Sequence, residues 1–206
     1  MMKRDAFLVV GIILLIWSLV DIVNTIVNKS WYQLAWFSNN IVLILSLAFI
    51  FRNKILMSAV AVSSLIVELP WFIDFFGRLL FNFVPFGGLS DYMFYEITVK
   101  NWLFYLELNH LVLIPLSMYG MYKLGVHKKA YLICWIFILY LNSLAYFLTP
   151  IELNINCVNR LCFLRENFIK VNSFSYYVLW MVSLAVVVYL LNKLIYYLSR
   201  KYLSKV

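Results

Sequence analysis

Runs of about twenty apolar residues recur along this chain, separated by short polar connections, and that recurrence limits what it can fold into. An α-helix rises 1.5 Å per residue, so about 20 apolar residues cross the roughly 30 Å hydrocarbon core of a bilayer. Six such runs lie at about 6–27, 32–51, 55–76, 101–123, 130–149 and 173–195. Of the 206 residues, 65% are hydrophobic and only 13% charged, far from the balance of a soluble domain. The sequence predicts an all-α, polytopic integral membrane protein, with residues 1–206 forming a single domain of six transmembrane helices.

The connections set the orientation. Arg52-Asn53-Lys54 and the stretch from Gly125 to Lys129 are tight turns, so the helices they join are antiparallel neighbours. With the N-terminus cytoplasmic, that side collects Lys3, Arg4, Arg52, Lys54, Lys123, Lys128, Lys129, Lys193, Arg200, Lys201 and Lys205, eleven basic residues. The other side has Lys29, Arg78, Lys100, Arg160, Arg165 and Lys170, which is six. The positive-inside rule then makes both termini cytoplasmic, in a multi-pass protein of the plasma membrane, with 77–100 and 150–172 as exterior loops. It also accounts for the net charge of +8 without nucleic acid, which is not expected as a partner. The basic tail from Lys193 to Lys205 reads as a juxtamembrane helix on anionic lipid.

Lys3 and Arg4 before an apolar run resemble a signal peptide, but Asp21, Asn24 and Asn28 follow where a small-residue cleavage site belongs, so the run reads as a retained anchor. Cys157 and Cys162 share the second exterior loop, where an oxidising compartment permits a disulfide, and Cys134 reads as a buried apolar filler. In the first exterior loop, Leu89, Tyr92, Met93, Phe94 and Tyr95 form an interfacial segment able to cap a cavity.

Against this apolar background the polar residues stand out, because a charge at mid-membrane costs at least ~2.5 kcal/mol and by default marks function. They are Asp21, the trio Ser38, Asn39 and Asn40, Glu68 and Asp74, Glu107 and His110, and Asn142 with Ser143. Alternating helix directions bring Asp21, Ser38, Glu68, His110 and Asn142 to one level, roughly 9–14 Å below the exterior helix ends. The other half of each span is nearly all apolar. Such one-sidedness predicts a polar pocket open to the exterior leaflet and argues against an ion path across the whole membrane.

Within that pocket His110 is the natural base, with Glu68, Asp74 or Glu107 able to fix its tautomer. Ser38 is the best-placed hydroxyl, and the neighbouring Asn39 and Asn40 offer amide donors for an oxyanion. Glu107 and His110 are spaced i, i+3 on one helix face, as in di-iron bundles, but only one such motif is present. A metal held by His110 with Glu68, Asp74 or Glu107 is the lesser reading, and neither a metal nor a cofactor is expected. The bland reading makes these groups hydrogen-bonded glue between helices, Asn142 above all. Asp74 and Arg78, spaced i, i+4, read as an ion pair, Pro70 and Pro115 as kinks, and Trp31, Tyr32, Trp102, Tyr176 and Tyr177 as aromatic belts.

Leu108-Asn109-His110 followed by Pro115, together with Trp36-Phe37-Ser38, resembles the androgen-induced and androgen-dependent membrane hydrolases, which have an intramembrane Thr in a similar aromatic setting and a His five residues before a Pro. The resemblance implies a multi-span lipid hydrolase acting on fatty acid esters of hydroxy fatty acids, with Ser38 as nucleophile and His110 as base. Here Ser stands where that family has Thr. The chain is also similar to bacterial six-helix membrane proteins with a His in the fourth span and an Asn in the fifth, like Asn142. The expected function is hydrolysis or transfer of the acyl group of a lipid-like ester, with membrane lipid the expected surroundings. One alternative is binding or transport of a cation or small polar solute through Asp21, Glu68, Asp74 and Glu107. The other is a non-catalytic membrane scaffold subunit.

Overall fold

The computed structural model describes residues 4–95, 103–162 and 174–202, and among these every regular element is helical. The helices are α1 (Arg4–Val27), α2 (Phe37–Ile50), α3 (Lys54–Phe81), α4 (Leu103–Glu107), α5 (Asn109–Leu124), α6 (Ala130–Leu148) and α7 (Phe174–Tyr202). Single 3-10 turns at Trp31–Ala35, Asp91–Phe94, Ile151–Leu153 and Ile155–Cys157 punctuate the connections. Lys3, Lys100, Trp102, Arg165, Lys170 and Lys205, used above for topology or belts, lie outside the described residues.

Four helices, α1, α3, α6 and α7, are long and apolar enough to cross a membrane. Their outward faces are greasy: Ile13, Ile16 and Val23 on α1, Ile136 on α6, and Leu179, Val182 and Leu190 on α7 are all exposed. Water tolerates no such continuous apolar surface, whereas lipid is its matching solvent.

The other two apolar runs are shorter than the sequence predicts. In the second, residues 31–35 wind as a 3-10 turn and Trp36 is extended (φ −65, ψ 133), leaving 14 residues for α2. That is ~21 Å of helix, short of a full span. The fourth is divided at Leu108 (φ −63, ψ −7) into the five-residue α4 and the 16-residue α5. By contrast α3 passes through Pro70 and runs on to Phe81, five residues past its expected end, before Asn82 stops it in the left-handed region (φ 52).

The centre of the bundle is α3, which touches α2, α5, α6 and α7. Its start is fixed by Asn53, whose Oδ1 accepts from the amides of Ile55 and Leu56. Helix α1 lies along α2, close enough that a Cβ on Gly11 would come 2.6 Å from Ile50 Cγ1 and 2.9 Å from Ile50 N. There Phe7 meets Phe49 at 5.3 Å, and the Arg52 guanidinium sits 5.4 Å over the Phe7 ring.

Two polar side chains, one fully buried and one partly so, organise the connections at one end. Asp74, fully buried, accepts from the amides of Phe86 (2.7 Å), Gly88 (2.9 Å) and Leu89 (2.7 Å). Its carboxylate is therefore held by the loop after α3, not by Arg78 as the spacing predicts. Asn156 accepts from Phe37 N (3.2 Å) and donates to Ala35 O (2.8 Å), clamping the start of α2 to the connection after α6. Cys157 and Cys162 form a disulfide in that connection, and Cys134 is free and buried.

Candidate functional site

At that end α3 and α5 bring their polar residues together. His110, 7% exposed, has its Nδ1 2.5 Å from Glu68 Oε2, and Glu68 is 1% exposed. Two apolar helices bury both groups, so each needs the other: an unpaired carboxylate or imidazolium there loses its hydration with nothing in return. Trp71, one turn after Glu68 on α3, stacks on the imidazole with centroids 4.3 Å apart and planes 15° apart, and its ring also stacks with Phe75 at 5.2 Å. Held by a carboxylate at Nδ1 and by an indole face, the imidazole has one orientation.

The other ring nitrogen is less constrained. Nε2 is 3.5 Å from Glu107 Oε2 and 3.5 Å from the Tyr92 hydroxyl, both too long for good hydrogen bonds. Tyr92 instead donates to Glu107 Oε2 at 2.9 Å. Burial and the adjacent Glu107 carboxylate hold the Tyr92 phenol well above its ordinary range, so it stays a donor. Of the three acids that could orient His110, Glu68 takes the Nδ1 side, Glu107 stands near Nε2, and Asp74 is engaged in the loop.

A cavity of about 430 Å³ opens beside this cluster. Ser38, Asn39, Glu68, Glu107, His110 and Asn142 all line it, so six of the residues singled out from sequence share one space. Most of its wall is apolar or aromatic, including Trp36, Phe37, Ile66, Ile138, Trp180 and Leu184. Leu89 and Tyr92 close part of it, in keeping with a capping role for their segment. Gln33, Asn156, Cys157 and Cys162 also line it, so the disulfide loop forms wall as well as connection.

Ser38 is not bonded to His110. Its Oγ is 3.4 Å from Asn39 Oδ1, and both ring nitrogens of His110 face other partners. Asn39 donates to Gln33 O at 3.4 Å, while Asn40 is outside the cavity, its amide donating to Leu34 O (2.6 Å) and Trp36 O (2.9 Å). Asn40 thus caps the chain before α2 and has no donor for an oxyanion. Asn142 approaches Met181 Sδ at 3.3 Å, the interhelical contact expected of it, and Ser143 pairs with the Tyr177 hydroxyl at 2.8 Å. Asp21, half-buried on α1, is within electrostatic range of Glu107 and His110 but not on the cavity wall. Among the described residues no group of three or more His, Cys, Asp or Glu is arranged to hold a metal ion.

Sequence reasoning missed Trp71 and Asn156 and did not join Tyr92 to Glu107. Trp71 had a signal, since it lies three residues after Glu68 and so on the same helix face. Tyr92 and Asn156 reach the site through loop geometry, which no periodicity encodes. Comparison with family models, with curated proteins and with solved structures finds no match to the chain.

Proposed function

We propose that this chain crosses the bilayer with all six apolar segments, both termini cytoplasmic, and that its cavity hydrolyses or transfers the acyl group of a lipid-like ester. The observation that carries the reading is the Glu68–His110 pair opening on an apolar cavity that also presents Ser38. Glu68 on Nδ1 fixes the tautomer that leaves Nε2 as the base, the task of the acid in a nucleophile–base–acid triad. An apolar wall suits an acyl chain entering from lipid.

In the proposed reaction Ser38 Oγ attacks the ester carbonyl carbon and its proton passes to His110 Nε2. Ser38 lies in the first turn of α2, a helix with no side-chain cap. Helical geometry leaves the first-turn amides of Ser38 and Asn39 without an intrahelical partner, which suits them to hold the oxyanion. Collapse of the tetrahedral intermediate breaks the bond to the alcohol oxygen, and His110 returns the proton to that leaving group. Water, or a second alcohol in a transfer, then attacks the acyl-Ser38 ester with His110 again as base, and collapse breaks the acyl–Oγ bond as His110 returns the proton to Ser38 Oγ. The 3.4 Å Ser38–Asn39 contact is long, so the Ser38 hydroxyl is weakly held in its present rotamer.

A serine-reactive fluorophosphonate tests this directly: it should label the wild-type protein and fail to label Ser38→Ala or His110→Ala that elute as folded protein. Full labelling of both variants sinks the reading. A second reading, binding of a cation or polar solute, draws on Glu68 Oε1, which is buried without a partner. It predicts solute-dependent thermal stabilisation lost in Glu68→Gln and Glu107→Gln, with no covalent labelling.

A further inference from the structure

Resting on the acyl-ester reading above, we infer that the cavity takes an uncharged acyl ester of a polyol and turns away esters bearing a free carboxylate. Charge is the first ground. Glu68 and Glu107 line the cavity and, among the described residues, no Lys or Arg does. With both carboxylates ionised and His110 protonated the wall still holds one excess negative charge, and Asp21 adds another within electrostatic range. In a space walled mostly by apolar side chains, where screening is poor, a ligand carboxylate meets repulsion and no counter-charge.

Hydrogen-bonding capacity is the second ground, and it is independent of net charge. Most side-chain donors around the cavity are engaged, Tyr92 with Glu107, Asn39 with Gln33 O, Asn142 with Met181 Sδ, and Trp180 Nε1 with Asn156 O, while Trp71 Nε1 is buried without a partner. The two carboxylates add acceptor capacity that nothing in the wall uses up. Glu68 Oε1 is fully buried with no partner, and the Glu107 side chain is 34% exposed. A carboxylate oxygen accepts only, so its complement is a ligand hydroxyl. A buried acceptor left alone costs about 1–3 kcal/mol, which a ligand donor recovers on binding. The alcohol part of the ester therefore carries free hydroxyls, as in an acylglycerol. The hydroxy fatty acid esters that the resemblance brings to mind carry a carboxylate instead.

Binding to the Ser38→Ala protein in uncharged detergent tests this without turnover, with quenching of the cavity tryptophans as the readout. Three ligands share one acyl chain: a monoacylglycerol, the propyl ester, and the ester of a hydroxy fatty acid. The monoacylglycerol should bind at least about tenfold more tightly than either of the others. Adding Glu107→Gln, which keeps the shape and the acceptor for Tyr92, should raise affinity for the carboxylate-bearing ester about tenfold and leave that for the propyl ester unchanged. A carboxylate-bearing ester that binds as tightly as the monoacylglycerol overturns the inference, as does a propyl ester that matches it. Fluorophosphonate labelling reports on the chemistry and this ranking on the ligand, so failure of one is distinguishable from failure of the other.

Discussion

Glu68 and Asp74 are six residues apart on one helix, both acidic and both buried, yet they do unrelated things. Glu68 holds an imidazole beside a cavity, while Asp74 gathers three loop amides. Composition exposes both as out of place in an apolar helix, and nothing local to either separates them. His110 and Ser38 were legible for the same reason, and Glu68 was among three acids named for His110, but which acid takes Nδ1 and where Ser38 Oγ points depend on side-chain directions across three helices. The division of labour is testable. Glu68→Gln keeps the volume but removes the charge that supports a protonated His110, so fluorophosphonate labelling should slow by about 10²-fold, measured as a pseudo-first-order rate on folded protein. Asp74→Ala should leave the labelling chemistry intact but strand three amides, costing roughly 3 kcal/mol or more. Thermal unfolding would show that loss, and limited proteolysis would find new cleavage between 83 and 90.

At the scale of elements, hydrophobic run length located the helical stretches but neither their ends nor the division of the fourth run into α4 and α5. Residues 32–36 are apolar enough to extend α2, and the chain instead makes a 3-10 turn whose geometry is fixed by Asn40 and by Asn156 from over a hundred residues away. Such a tertiary clamp has no signature in the run itself. The break at Leu108 is equally silent, because its neighbours read as one continuous span. Close packing of α1 on α2 and of α5 on α3 depends on glycine, and the two contacts differ in kind. At Gly11 an added Cβ meets the backbone of Ile50, which cannot retreat, whereas at Gly120 it meets the thioether end of Met57, which can. Gly11→Ala should therefore destabilise by about 1–3 kcal/mol and Gly120→Ala by less. Unfolding midpoints of the two variants in one detergent would rank them, and the reverse order would refute this account.

For the molecule as a whole, the cavity draws its wall from connections at a single end: Gln33 before α2, Leu89 and Tyr92 after α3, Asn156 and the disulfide after α6. Among the described residues, the connections at the opposite end are the tight turns through Asn53 and His127. That asymmetry was legible, because polar residues in alternating spans fell at one level. The side of the membrane it faces follows from the count of basic residues, a statistical bias and not a contact, so it calls for a chemical test. In a background with Cys134→Ala, Cys157→Ser and Cys162→Ser, a single cysteine would be placed either at Phe83, exposed in the loop after α3, or at Lys128, exposed in the turn before α6. The proposed topology has a membrane-impermeant maleimide reaching Phe83→Cys in intact cells and Lys128→Cys only after permeabilisation. The opposite pattern would turn the cavity toward the cytoplasm and change which leaflet supplies its ester. Equal labelling at both positions in intact cells would mean that the two turns are not separated by a bilayer. The six-crossing arrangement would then fall, and with it the route by which an acyl chain enters the cavity from lipid.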